Sequence, residues 1–196
     1  DVLEVLRAPI EDGEVTITRA AGSITLPSRF MLVGAMNPCR CGWYGHPSGR
    51  CRCTKQQVEK YVEKISGPML DRMDLHVNVP SVEVEAMRRH EKAESSADVK
   101  ARVNAARDIQ KQRFSGTNIT CNAQMTPAMV GEFCTLDAAG EKLLKGAFER
   151  LGLTARSHDR LLRVARTIAD LDGSEKIEAH HLAEAIQYRN TDILQG

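Results

Sequence analysis

Apolar positions form short strand-like and helix-like runs up to Pro80, and helical periodicity dominates beyond it. Val2, Leu3, Val5 and Leu6 open a helix expected to stop at Pro9, with Glu11-Asp12-Gly13 as a turn. Val15-Thr16-Ile17-Thr18 and Ser23-Ile24-Thr25-Leu26 flank Arg19-Ala20-Ala21-Gly22, the residue types and spacing of a β-hairpin. Phe30 to Met36 is continuously apolar, which predicts a strand buried on both faces and ended by Asn37-Pro38. Thr54 with Gln57 three residues later has capping-box spacing, and Val58, Tyr61, Val62 and Ile65 share one face of the helix that follows. Gly67-Pro68 breaks that helix, and Leu75-His76-Val77-Asn78-Val79 alternates up to Pro80 as a short strand.

From Ser81 to Asp98 the chain is charged and weakly periodic, with a loop expected over 91–96. Ser95 and Asp98 are placed to cap a helix bearing Val99, Val103, Ala106 and Ile109, ended by Ser115-Gly116-Thr117-Asn118. Thr126-Pro127 reads as an N-cap with proline in the first turn. Leu143, Leu144, Ala147, Phe148 and Leu151 mark a helix stopped by Gly152, and Leu161, Leu162, Ala165, Ile168 and Ala169 one stopped by Asp172-Gly173. Leu182, Ala185 and Ile186 mark a last helix. The expected class is α+β, mainly α. Residues 1–80 form part of a strand-and-helix layer, 81–120 connecting helices, and 121–196 an all-helical bundle.

Composition narrows the class. The 196 residues are 42% apolar and 27% charged, which excludes a disordered tail and a collagen-like fibre. No run approaches the roughly 18 apolar residues of a spanning helix, so no membrane partner is expected. With 27 bases against 26 acids, net charge names no partner, and any nucleic-acid surface has to be local. Because Asp1 to Leu6 reads as mid-helix without the features of a secretory signal, the expectation is a cytoplasmic protein and a piece of a longer chain.

Four of the six cysteines crowd into fifteen positions as two C-x-C pairs, Cys39/Cys41 and Cys51/Cys53. Four thiolates can complete a tetrahedral zinc site, and the glycines and Pro47 between the pairs let the loop fold back. His46 is an alternative fourth ligand; reduced, unligated thiols and redox chemistry are the other readings. Arg40, Arg50, Arg52 and Lys55 beside Trp43 and Tyr44 give the loop a cationic, aromatic character suited to phosphates and bases, or to packing around a metal. Cys121 and Cys134 read as apolar filler.

Four collinear stretches carry a resemblance: Glu4 to Gly13 (EVLRAPIEDG), Val33 to Cys39 (VGAMNPC), Ile65 to Leu75 (ISGPMLDRMDL), and Ala155-Arg156 through Leu171. Together they resemble the magnesium-chelatase-like branch of the AAA+ ATPases, and within it the ComM/YifB-type competence proteins. The resemblance implies a partial AAA+ core followed by a helical lid. It places Asn37 as sensor 1, orienting the attacking water, and Arg72 as the arginine finger reaching a neighbour's ATP. It places Arg156 as sensor 2 on phosphate oxygens. Without the resemblance, Asn37 is a turn former, Arg72 pairs with Asp71 or Asp74, and Arg160, Arg163 and Arg166 are a solvated helix face.

The hairpin resembles the pre-sensor-1 insertion of that branch, which makes Arg19 near its tip the candidate phosphate contact. ATP and Mg²⁺ are the implied cofactors of the full-length protein, with Zn²⁺ in the cysteine loop. Self-assembly into a hexamer and DNA are the implied partners, and DNA remodelling by helicase-like branch migration the implied activity. The chain holds no G-x-x-x-x-G-K-[ST] and no apolar run ending in Asp-Glu, so alone it is expected not to hydrolyse ATP. The alternatives are a magnesium-chelatase motor subunit and a zinc-stabilised module that binds nucleic acid or protein.

Overall fold

Helix capping decides most of the architecture. The structure, a computed structural model, describes residues 2–80 and 93–189. It divides into one unit up to Met73 and a second from Asp74 onward.

In the first unit, α1 (Val2–Val5) and α2 (Arg7–Asp12) precede the strands β1 (Glu14–Arg19) and β2 (Gly22–Pro27). Pro9 does not stop the opening helix as expected. It falls in the first turn of α2, where a missing N–H costs nothing, and Gly13 closes the helix at φ 69° by donating its N–H to the Pro9 carbonyl. The hairpin forms as expected, pairing Thr16 with Thr25 and Arg19 with Gly22. Hydroxyl pairs brace its outside, Thr16 with Thr25 and Thr18 with Ser23, each at 2.9 Å.

Phe30 to Met36 is not the expected buried strand. It has no regular structure, and Met31 and Val33 are 87% and 79% exposed. No strand among the described residues offers the ladder that would satisfy its backbone, and without one an apolar run cannot be a strand. Helix α3 (Lys55–Val62) begins with the expected capping box, Thr54 Oγ1 accepting from the Gln57 N–H while Gln57 Oε1 accepts from the Thr54 N–H. Ser66 caps α4 (Gly67–Asp71) with Pro68 in its first turn. Among the described residues of this unit the buried apolar side chains are few: Cys39, Val58, Val62 and Met69.

The second unit is helical: α5 (Ser96–Arg113), α6 (Pro127–Phe133), α7 (Ala138–Leu151), α8 (Ala155–Leu171) and α9 (Ala179–Gln187). Ser95, Thr126, Asp137 and Thr154 each accept a backbone N–H at an N-terminus, and Gly152 ends α7 in the left-handed region. The core gathers Phe114, Met125, Val130, Leu144, Leu161, Leu162, Ala165, Leu182 and Ile186, among others. Cys134 fills it as expected, and burial pushes its thiol up to about 11. Val99 and Val103 are 38% and 42% exposed, so only the second half of α5 packs. Leu75 to Val79 is a second expected strand that does not form; the His76 N–H donates to the Tyr188 carbonyl at 2.7 Å, a tether rather than a ladder. The charged segment 81–92 lies outside the described residues.

Arg166 overturns the expectation of a solvated face: it is 2% exposed. Its Nε donates to Asp170 Oδ1 at 3.1 Å, and its terminal nitrogens to the Glu175 and Ser174 carbonyls at 2.8 and 2.5 Å. Arg113 grips both oxygens of the same carboxylate at 2.7 and 2.5 Å, and Asn122 Nδ2 adds a bond at 2.7 Å. Burial lowers the pKa of Arg166, against which Asp170 holds its charge. Removing the carboxylate strands two guanidinium groups. Asp170→Ala is therefore expected to destabilise the second unit by about 3–5 kcal/mol, read as the shift in its urea unfolding midpoint.

Candidate metal centre and phosphate-sensing residues

The cysteine loop begins where Asn37-Pro38 ends the extended segment, and its turns use glycine where a side chain would be strained. Gly42 sits at φ 81°, with its N–H donating to the Cys39 carbonyl at 3.0 Å. A Cβ there would lie 3.8 Å from the Asn37 carboxamide, so the sequence-predicted sensor 1 side chain rests beside the cysteine loop.

The fold brings all four predicted sulfurs together. Cys39 Sγ is 3.3 Å from Cys41 and 3.8 Å from Cys51, and Cys41 is 3.5 Å from Cys51. With Cys53 included, every sulfur lies within 4.8 Å of the others. All are free thiols, and a tetrahedral Zn–S₄ site with ~2.3 Å bonds has edges of about 3.8 Å. His46 is not part of the cluster. Its Nδ1 accepts the Ser48 N–H at 3.0 Å and meets the Ser48 hydroxyl at 2.7 Å, which makes it a brace of the loop.

The four sulfurs differ electrostatically. Burial pushes the Cys39 thiol up, but bonds from the Cys41 thiol and from the Tyr44, Cys41 and Trp43 N–H groups outweigh it and hold the thiol down at about 6. At Cys51 the backbone bond at Cys53 favours the thiolate, yet burial and the Cys41 and Cys39 sulfurs carry the thiol up to about 12. Cys53 is raised by its bond with the Cys41 sulfur. One thiolate thus suppresses ionisation of its neighbours, the behaviour of a tetrathiol that needs a thiophilic cation to ionise together.

The remaining candidates lie on other elements. Arg72 follows α4, its side chain 10% exposed, pairing with Glu11 and donating to the Pro68 carbonyl at 2.9 Å. Asp74, one of its expected partners, instead lies 3.7 Å from Arg160. Arg156 is exposed in the first turn of α8, and Arg19 is exposed where the hairpin turns. Arg72 and Asn37 lie in the first unit and Arg156 in the second. Sequence reading missed the Glu11–Arg72 pair, which joins positions 61 apart and has no local signal.

A second cluster escaped it too: Asp172, His180 and His181 have ligand atoms within 4.8 Å of one another. His181 Nδ1 accepts the Glu178 N–H at 3.0 Å and Nε2 faces Asp172 at 3.2 Å. That leaves the proton on Nε2 and no lone pair for a metal, so this cluster is a helix cap.

Two family models cover the chain in order. Magnesium chelatase, subunit ChlI, matches residues 1–87, and magnesium chelatase, subunit ChlI C-terminal, matches 93–189. Among relatives, the uncharacterized protein YifB of Escherichia coli (strain K12) is 42% identical over 193 residues, 98% of this chain and 37% of that protein. The competence protein ComM of Haemophilus influenzae is 39% identical over 96% of this chain and 36% of its own length. The uncharacterized protein Rv2897c of Mycobacterium tuberculosis is 35% identical over 96% of this chain and 37% of its length. The chain thus spans little more than a third of the relatives it matches.

Proposed function

We propose, from the premise that the chain belongs to the magnesium chelatase subunit ChlI family, that it is the sensing and coupling part of a AAA+ ATPase motor that remodels DNA. The observation that carries this reading is the ordered likeness, across both units, to the competence protein ComM. The full-length motor is a cytoplasmic hexamer whose ATP, held with Mg²⁺, supplies the energy of remodelling.

Asn37 orients the attacking water as sensor 1 through its carboxamide. Arg72 is the finger acting in trans, and its anchorage to Glu11 and the Pro68 carbonyl aims the guanidinium before a neighbour's phosphates arrive. Arg156 is sensor 2, an exposed fork on the first turn of α8. Arg19 on the hairpin touches DNA phosphate. Cys39, Cys41, Cys51 and Cys53 hold structural zinc, a reading supported by sulfur spacings close to a tetrahedral edge and by a unit whose described residues include four buried apolar side chains. The name of the family models favours a second reading, a motor that drives magnesium into a tetrapyrrole. DNA-stimulated against porphyrin-dependent ATPase activity of the full-length protein separates the two.

In the full-length protein, Arg72→Ala is expected to lower the ATPase kcat by about 10³-fold, and turnover at the normal rate removes the finger assignment. The chain is expected to contain one zinc ion by metal analysis and to lose it in Cys51→Ser. Because Cys51 and Cys53 must shed protons to bind, apparent zinc affinity is expected to rise with pH above neutrality and fall in acid, read by competition with a chromophoric chelator.

A further inference from the structure

The near-neutral total conceals a segregated charge. From Val15 to Val58 the chain has no Asp or Glu and carries Arg19, Arg29, Arg40, Arg50, Arg52 and Lys55, so all 26 acids lie elsewhere. Four of these six bases belong to the cysteine loop or its exit, and all four are exposed. Among the described residues none of the four has an ion-pair partner, although the chain is rich in carboxylates. A zinc tetrathiolate is formally −2, which leaves the segment cationic even with metal bound.

The same loop presents Trp43, the chain's single tryptophan, 37% exposed. Its ring is steadied rather than buried. His46 packs edge-on at 4.9 Å and 84°, and the Arg50 guanidinium lies 5.1 Å from the indole centroid. An indole propped at the surface under a cation, in a run of chain that carries five further bases and no acid, is the arrangement that stacks an unpaired base while binding its phosphates. A duplex keeps its bases stacked inside and offers the indole nothing.

We propose that the cysteine loop is a single-stranded nucleic-acid contact. In it Trp43 stacks a base, Arg50 leaves the indole for the adjoining phosphate, and Arg40, Arg52 and Lys55 engage the backbone. The proposal rests on the reading of this chain as part of a DNA-remodelling motor, and it moves the principal contact from Arg19 to the loop.

Trp43 is its own reporter. Titrating the zinc-supplemented 196-residue chain with oligo(dT) is expected to quench its fluorescence saturably. Affinity should fall roughly 50-fold as salt rises from about 50 to 200 mM, the slope of about four phosphate contacts. Anisotropy of a labelled oligo(dT) should show Trp43→Ala weakened about 10-fold or more. The Arg40→Gln/Arg52→Gln double variant should have a shallower salt slope. If oligo(dT) binds by anisotropy but leaves Trp43 fluorescence unchanged, the loop proposal fails and the DNA reading stands. Equal affinity for heparin and for duplex also sinks it, as that is binding by charge alone. Quenching by oligo(dT), in a protein whose full-length form shows no DNA-stimulated ATPase, upholds the contact and removes the motor.

Discussion

The second unit is organised by the need to neutralise one buried carboxylate. Asp170 has no exposed surface in its side chain, and it draws Arg113 from the end of α5, Asn122 from the single-turn 3₁₀ helix that follows, and Arg166 from its own helix. Such a network is tolerable in an apolar core only when every donor and acceptor is matched. Here the matching extends outward: Asn122 also reaches the Thr167 hydroxyl at 3.0 Å and takes a bond from Arg113 at 2.9 Å. The apolar residues around it supply burial; the carboxylate supplies register, fixing which turn of α5 faces which turn of α8.

Among its described residues the first unit has no comparable centre. Its secondary structure is a two-stranded hairpin and four short helices, and two-stranded sheets are marginal in water without something to pack on. The four gathered sulfurs are the feature able to substitute for a core, because a ligated metal cross-links a loop as a cluster of large side chains would. The exposed run from Phe30 to Met36 fits the same view: the chain carries the apolar content of an interior strand without the neighbours that make one.

How much of this was legible in the sequence follows from the range of the forces involved. Caps act within four residues, so Ser95, Thr126, Gly152 and the Thr54/Gln57 box could be read directly, and with them the helices of the second unit. The cysteine cluster was legible because two C-x-C pairs constrain a short loop. Strands depend on partners elsewhere, so apolar content at Phe30–Met36 and alternation at Leu75–Val79 each suggested a strand that does not form. Arg166 was misread because arginine at helical spacing usually faces water. Its i,i+4 partner Asp170, set within the stripe of Leu162, Ala165 and Ala169, was the available clue. Glu11 with Arg72 left none, since nothing local links residues so far apart.

Arg166 also fixes the turn beyond its own helix. Its two terminal nitrogens hold the Ser174 and Glu175 carbonyls, and three residues later Glu178 and His181 lock the start of α9 reciprocally. The elbow between α8 and α9 is thus held at both ends, by Arg166 on one side and by the Glu178–His181 box on the other. The helix that carries Arg156 in its first turn is thereby tied, through Arg166, to the turn that leads into α9, so the two helices share one set of backbone anchors.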